Sequence, residues 1–156
     1  MNDPVHRLPQ AGEELIAVQV GDQQYAIDIM SVREIRGWTN STPLPNAPSH
    51  VLGMINLRGA ILPVVDLGAR LGLGASRPGA SSVVVVAQIG PREVGLLVDA
   101  VCDILTVTEG LLQSPPDVGE ASVRQFVQAV MTTDEGIVSL LSLDHVLPTE
   151  VLDQAA

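Results

Sequence analysis

The chain has 156 residues and a formal net charge of −10; 46% are hydrophobic and 17% charged, which excludes a disordered scaffold. Eight arginines, no lysine and three aromatic residues (Tyr25, Trp38, Phe126) provide no basic, stacking surface for a nucleic acid. The single cysteine, Cys102, rules out an internal disulfide and argues against a zinc cluster, while 22 valines favour strands and an aliphatic core.

Residues 1–14 are polar, lack a hydrophobic signal core, and read as a mobile arm. Leu15 to Val20 and Tyr25 to Ile29 are strand-like runs around a Gly21-Asp22 turn, and Met30 to Arg36 is mixed. Three prolines in residues 39–49 mark a loop. Val51 to Asn56 and Ala60 to Val65 form a hairpin-like pair around Leu57-Arg58-Gly59. Asp66 then caps a short helical turn, LGARLG, and residues 74–82 read as a linker. The second part runs similarly: Val83 to Ile89, a Gly90-Pro91 turn, then Val94 to Val101. A loop around Ser114-Pro115-Pro116-Asp117 leads to Phe126 to Met131, a Thr-Thr-Asp-Glu-Gly turn and Ile137 to Leu141. Leu143 to Leu152 closes the chain as a helix that Pro148 would break or kink. The longest apolar tract, Val83 to Ala87, has the length of a strand and falls short of a membrane span.

The two parts overlay. Residues 17–35 lie on 86–104 at a shift of 69, with Gln19/Gln88, Gly21/Gly90, Val32/Val101 and Ile35/Ile104 identical. Residues 50–71 lie on 126–147 at a shift of 76, with Val51/Val127, Ile61/Ile137, Leu67/Leu143 and Leu71/Leu147 identical. Eight identities are few, but the apolar register and the turns agree along both blocks. An internal duplication of two small β lobes, about 15–73 and about 81–150, follows, with a tail over 151–156. Neither lobe is large enough to bury much surface alone, so a shared core is expected. Residues 1–92 carry seven Arg against seven acids, whereas 93–156 carry Arg124 against eleven acids. The overlay sets Arg33 on Cys102, Arg36 on Leu105 and Arg58 on Asp134.

Nothing in the pattern converges on catalysis. His6, His50 and His145 have no metal-ligand spacing, and Cys102 lies in an apolar run. Asp66, Asp99 and Asp144 follow hydrophobic strands, where carboxylates commonly cap the next turn, and no glycine-rich phosphate loop is present. No enzyme activity, cofactor or metal is expected, and a soluble cytoplasmic protein is.

Three segments carry a resemblance: YAIDIMSVREI, TPLPNAPSHVLGMINLRGAILPVVDL and VGLLVDAVCDIL. Together, over about residues 12–150, the chain resembles the CheW-like family of chemotaxis coupling proteins. The most specific stretch is GMINLRG (Gly53 to Gly59) followed by PVVDL (Pro63 to Leu67). The resemblance implies an all-β fold of two pseudo-repeated SH3-like five-stranded β-barrels around a shared core, with short helices, in one domain over 15–150. It implies a non-catalytic adaptor between the cytoplasmic tip of chemoreceptors and the regulatory domain of a CheA-type histidine kinase. Recruitment to membrane-associated receptor arrays, and self-association in rings, belong to the same expectation. A stand-alone regulatory or small-ligand-binding β-barrel is the alternative.

By the same resemblance, Val32 and Glu34 match a segment used for receptor and kinase contacts, and Asn56, Arg58 and Gly59 match the NLRG signature, with Gly53 just upstream. Arg58 at a hairpin tip either pairs with a partner's carboxylate or helix end, or clamps internally, to Glu34 for instance. Gly53 and Gly59 permit tight backbone geometry. Val32 and Val98 either line an apolar groove for the receptor or belong to the core. Ala129 and Ser142 depart from the Gly and Asp common in the family.

Overall fold

The computed structural model describes residues 8–39, 41–43, 45, 50–74, 78–114, 126–134 and 136–147. Residues 1–7, the middle of the 74–82 linker, Pro115 to Asp117, Arg124, and everything from Pro148 onward, the expected tail included, lie outside them.

Alternating apolar runs become ten strands: β1 (Glu14–Val20), β2 (Gln23–Asp28), β3 (Val32–Gly37), β4 (Val51–Leu57), β5 (Ala60–Asp66), β6 (Val83–Ile89), β7 (Arg92–Val98), β8 (Ala100–Thr106), β9 (Val127–Thr133) and β10 (Gly136–Leu141). Ile29–Ser31 forms a single 3-10 turn, and two one-turn helices, α1 (Leu67–Arg70) and α2 (Leu143–Val146), follow β5 and β10. Asp66 caps α1 as expected, accepting from the Ala69 amide at 3.3 Å. Asp99 acts elsewhere: its Oδ2 accepts from the Gly21 amide at 2.8 Å, tying the β7–β8 junction to the β1–β2 turn. The expected single run Val94 to Val101 is therefore two strands broken at Asp99.

The strands form two five-stranded sheets, sheet I in the order β8-β1-β2-β10-β9 and sheet II in the order β3-β6-β7-β5-β4. Replacing each strand of sheet I by its counterpart five positions along the chain reproduces sheet II. The shift of 69 carries β1 onto β6 end to end, and the shift of 76 does the same for β4 onto β9 and α1 onto α2. Details repeat as well. Gln19 and Gln88 each donate to the carbonyl two residues ahead, at 2.7 and 2.8 Å. The parallel pairings Leu140↔Ala26 and Val64↔Gly95 are equivalent under the overlay.

Each sheet draws on both halves of the sequence, so lobes cut at residues 73–81 are not separate bodies in space. β1 and β2 pair with β8 and β10, while β6 and β7 pair with β3 and β5. The sheets differ in charge as well, though less than the two parts of the sequence. The strands of sheet I carry Glu14, Asp28 and Asp103 and no arginine. Those of sheet II carry Arg33, Arg36 and Arg92 against Glu34, Asp66 and Glu93, with Arg58 and Arg70 in the connections.

Between the sheets lies one aliphatic core from both halves, including Val18, Ile27, Val65, Leu67, Leu96, Leu143 and Leu147. Fully burying a side chain of this size contributes about 1.5–3 kcal/mol. Each sheet also covers a smaller cluster of its own: Leu15, Ala26, Met131, Val138 and Leu140 in sheet I, and Ile55, Leu57, Leu62, Val64, Val84, Val86 and Leu97 in sheet II. Neither hydrogen-bonded ladder closes; β8 and β9 are the edges of one, β3 and β4 of the other.

Candidate functional site: a charged seam across sheet II

The β4–β5 connection is a two-residue hairpin, with Leu57 paired to Ala60. Its central residues, Arg58 and Gly59, have φ of 54° and 86°, as the right-handed twist of a hairpin demands. Gly59 adopts this freely. Arg58, the one described non-glycine residue with positive φ, costs about 1 kcal/mol there. The Asn56 Oδ1 accepts from the Gly59 amide at 3.0 Å and sets the turn.

This turn aims Arg58 at Glu34. The Arg58 Nη2 lies 3.0 Å from one Glu34 carboxylate oxygen and 3.2 Å from the other, and the Arg36 Nη1 lies 3.3 Å from the same group. Glu34 stands on β3 and Arg58 beside β4, the two opposite edges of the ladder. The ion pair therefore spans a seam that the backbone leaves open. The Arg58 side chain is 76% exposed and that of Glu34 21%, so the pair is worth about 1 kcal/mol or less. It orients the guanidinium more than it holds the fold, and an arginine fork has five N–H donors to offer.

The expected site residues divide accordingly. Glu34, Asn56, Arg58 and Gly59 meet at this seam. Val32 is half-buried at the start of β3 and packs on the central core. Gly53 stands behind the seam on β4, where Thr42 crosses the strand with mutual backbone hydrogen bonds to Met54 of 2.9 and 2.8 Å. A Cβ at Gly53 would lie 2.3 Å from the Thr42 carbonyl oxygen, so only glycine admits that crossing. Val98 is elsewhere: it is 1% exposed in the central core, so it lines no groove and its expected contact role is corrected to packing.

Arg36 was not singled out as a site residue, although the alternation of VREIR puts Glu34 and Arg36 on one side of the strand. Ile35 and Ile61, 46% and 67% exposed, give the same region apolar surface.

A second polar group lies at α1. Arg70 donates to the Val146 carbonyl at the end of α2 and stacks 5.0 Å from the centre of the Phe126 ring, joining the two repeats. Burial lowers its pKa. Burial, and then the Arg70 charge, lower the pKa of His50, whose Nε2 is buried with no hydrogen-bond partner. Ala129 and Ser142, where the resemblance implied Gly and Asp, are also interior. Ala129 is 1% exposed at the position equivalent to Gly53, and Ser142 is 2% exposed with its Oγ 2.7 Å from His145 Nδ1.

Among the described residues no group of three or more His, Cys, Asp or Glu side chains is placed to hold a metal ion. No described helix is long and apolar enough to cross a membrane. The fold and site together define an internally duplicated β module that presents a charged, partly apolar seam.

The model of the CheW-like domain family matches residues 14–151. The chain is 49% identical over 155 residues to the chemotaxis protein CheW of Rhizobium meliloti, covering 99% of this chain and all of that protein. It is 30% identical to the chemotaxis protein CheW of Klebsiella aerogenes, covering 89% and 84% of the two chains. The crystal structure of the scaffolding protein TtCheW from Thermoanaerobacter tengcongensis superposes with a TM-score of 0.79 at 28% identity, covering 91% of each chain. The chain belongs to the CheW-like domain family.

Proposed function

We propose that this protein acts as the non-catalytic coupler between the cytoplasmic tips of chemoreceptors and the regulatory domain of a CheA-type histidine kinase. A chemotaxis coupling adaptor is what full-length similarity to proteins named CheW supports, and the reading as a stand-alone small-ligand barrel finds no such support. The observation that carries the finer reading is the Glu34–Arg58 seam: an exposed guanidinium, held by a strained turn and a fixed carboxylate, with donors left for a partner's carboxylate or helix end. Glu34, Asn56, Arg58 and Gly59 form this surface, supported from behind by Val32 and Gly53. Glu34 and Arg58 touch the partner, Asn56 and Gly59 shape the hairpin, Gly53 admits the Thr42 crossing and Val32 anchors β3.

The apolar cluster inside each sheet, and the ion pair across the open seam of sheet II, favour reading each sheet as an SH3-like barrel closed by side chains. One domain over 15–150 is the functional unit, located in the cytoplasm and recruited to receptor arrays, where copies also meet in rings. The test is binding of the intact chain to the cognate kinase regulatory domain and to a receptor-tip fragment. Arg58→Glu folds normally and loses at least one of the two; unchanged binding to both would remove Arg58 from the interface.

A further inference from the structure

The two copies meet at α1 and α2 through a polar contact made in one direction. Arg70, the last residue of α1, donates to the Val146 carbonyl and lies over the Phe126 ring, 5.0 Å from its centre. A one-turn helix leaves its last carbonyls without partners of its own, so this donor ties the end of α2 to the other copy. The shift of 76 sets Val146 in the place of Arg70 and His50 in the place of Phe126. The reverse contact therefore has no cation, and an imidazole stands where the ring was. The backbone obeys the same overlay: the Phe126 carbonyl accepts from Ser142 at 2.8 Å, and the His50 carbonyl from Asp66 at 2.7 Å. His50 Nε2 is buried with no hydrogen-bond partner, and the charge that acts on it is that of Arg70. The other ionisable groups of the surrounding elements are engaged elsewhere. The Asp66 carboxylate caps α1, His145 Nδ1 meets the Ser142 hydroxyl at 2.7 Å, and Asp144 lines a cleft with Glu13 and Asp28.

We propose that Arg70 latches α2 to α1 and that a proton on His50 releases the latch. Whichever ring nitrogen takes the proton, the imidazolium stands beside the guanidinium in a partly buried site, where like charges repel. Arg70, the longer side chain, relieves this by leaving the Val146 carbonyl and the Phe126 face. Leu143, Val146 and Leu147 then hold α2 by apolar contact alone. The latch is closed at neutral pH and opens on acidification below 6.5, the ordinary pKa of the imidazole, because burial and the Arg70 charge both disfavour its protonated form. The device belongs to the fold and does not rest on the coupling reading.

The intact protein is followed by NMR from about pH 8 to about pH 5, across the histidine range. The His50 ring signals give its titration. Hydrogen exchange gives protection factors for the Val146 and Leu147 amides, which donate to the Ser142 and Leu143 carbonyls at 2.9 Å each. Protection at both is expected to fall through the His50 titration, by about ten-fold for each unit by which the fold lowers that pKa. In His50→Phe it stays level over the same range, and in Arg70→Leu it is low throughout. A level profile in the wild type would overturn the proposal. So would an equal fall in His50→Phe, which would assign the effect to His145 or to the carboxylates, and so would full protection in Arg70→Leu.

Discussion

Gly53, His50 and Arg58 each carry a separate consequence. A methyl group at position 53 meets the Thr42 backbone, so Gly53→Ala must move β4 or the crossing segment. A loss of about 2 kcal/mol or more is expected in urea unfolding; a change below 0.5 kcal/mol would show that the crossing relaxes freely. The pKa of His50 is lower in the fold than its ordinary 6.5. The unfolded chain therefore takes up the proton first, and the contribution of His50 is present above that pH and lost as pH falls through the folded-state pKa. His50→Phe, which copies Phe126 from the equivalent position, is expected to flatten this acid limb and remove the unpaired Nε2. An unaltered pH profile would assign the limb to other groups. For Arg58, exchanging the charges in Glu34→Arg/Arg58→Glu separates two roles. The swap restores binding lost in Arg58→Glu if the pair only shapes the hairpin, and leaves it lost if the guanidinium touches the partner. The seam reading predicts the second.

At the level of elements, most strands were legible because one or both faces are buried and their residues alternate or run apolar. β3 and β8 were not: the first read as mixed and the second as the tail of a longer run. Both are edge strands with exposed charged residues, and only one side of each meets a neighbour, so periodicity carries little signal. The break at Asp99 was equally hidden, since it rests on a bond to Gly21 far away in sequence. The site was half legible. The two apolar runs around Leu57-Arg58-Gly59 mark the hairpin, the family resemblance singles out Asn56, Arg58 and Gly59, and Glu34 is the internal partner that the sequence offers Arg58, but Val98 looks the same in sequence whether it lines a groove or fills the core. The overlay of the two copies held more than composition did, because equal shifts preserve turns and bulges even where side chains change sign.

For the whole molecule, interleaving matters most. Because each sheet needs strands from both halves, a fragment of residues 1–80 lacks β8, β9 and β10 of sheet I and β6 and β7 of sheet II. It is expected to show an undispersed NMR spectrum alone and to fold when mixed with residues 81–156; a dispersed monomeric spectrum of either half would contradict the shared core. The sheets also differ in charge, which makes partner binding sensitive to ionic strength. Affinity for the kinase regulatory domain is expected to fall as salt rises from 50 to 500 mM, as these roughly bracket the physiological screening range. Flat dependence would point to the exposed isoleucines as the main contact.

The central claim, coupling of receptor to kinase, is tested most directly by reconstitution. The cognate kinase and a receptor-tip assembly are combined with and without this protein, and phosphoryl transfer to the kinase is followed. The account predicts that kinase activity comes under receptor control only when the protein is present, and that Arg58→Glu abolishes that control. Receptor control that is identical without the protein, or no control in its presence, would contradict it.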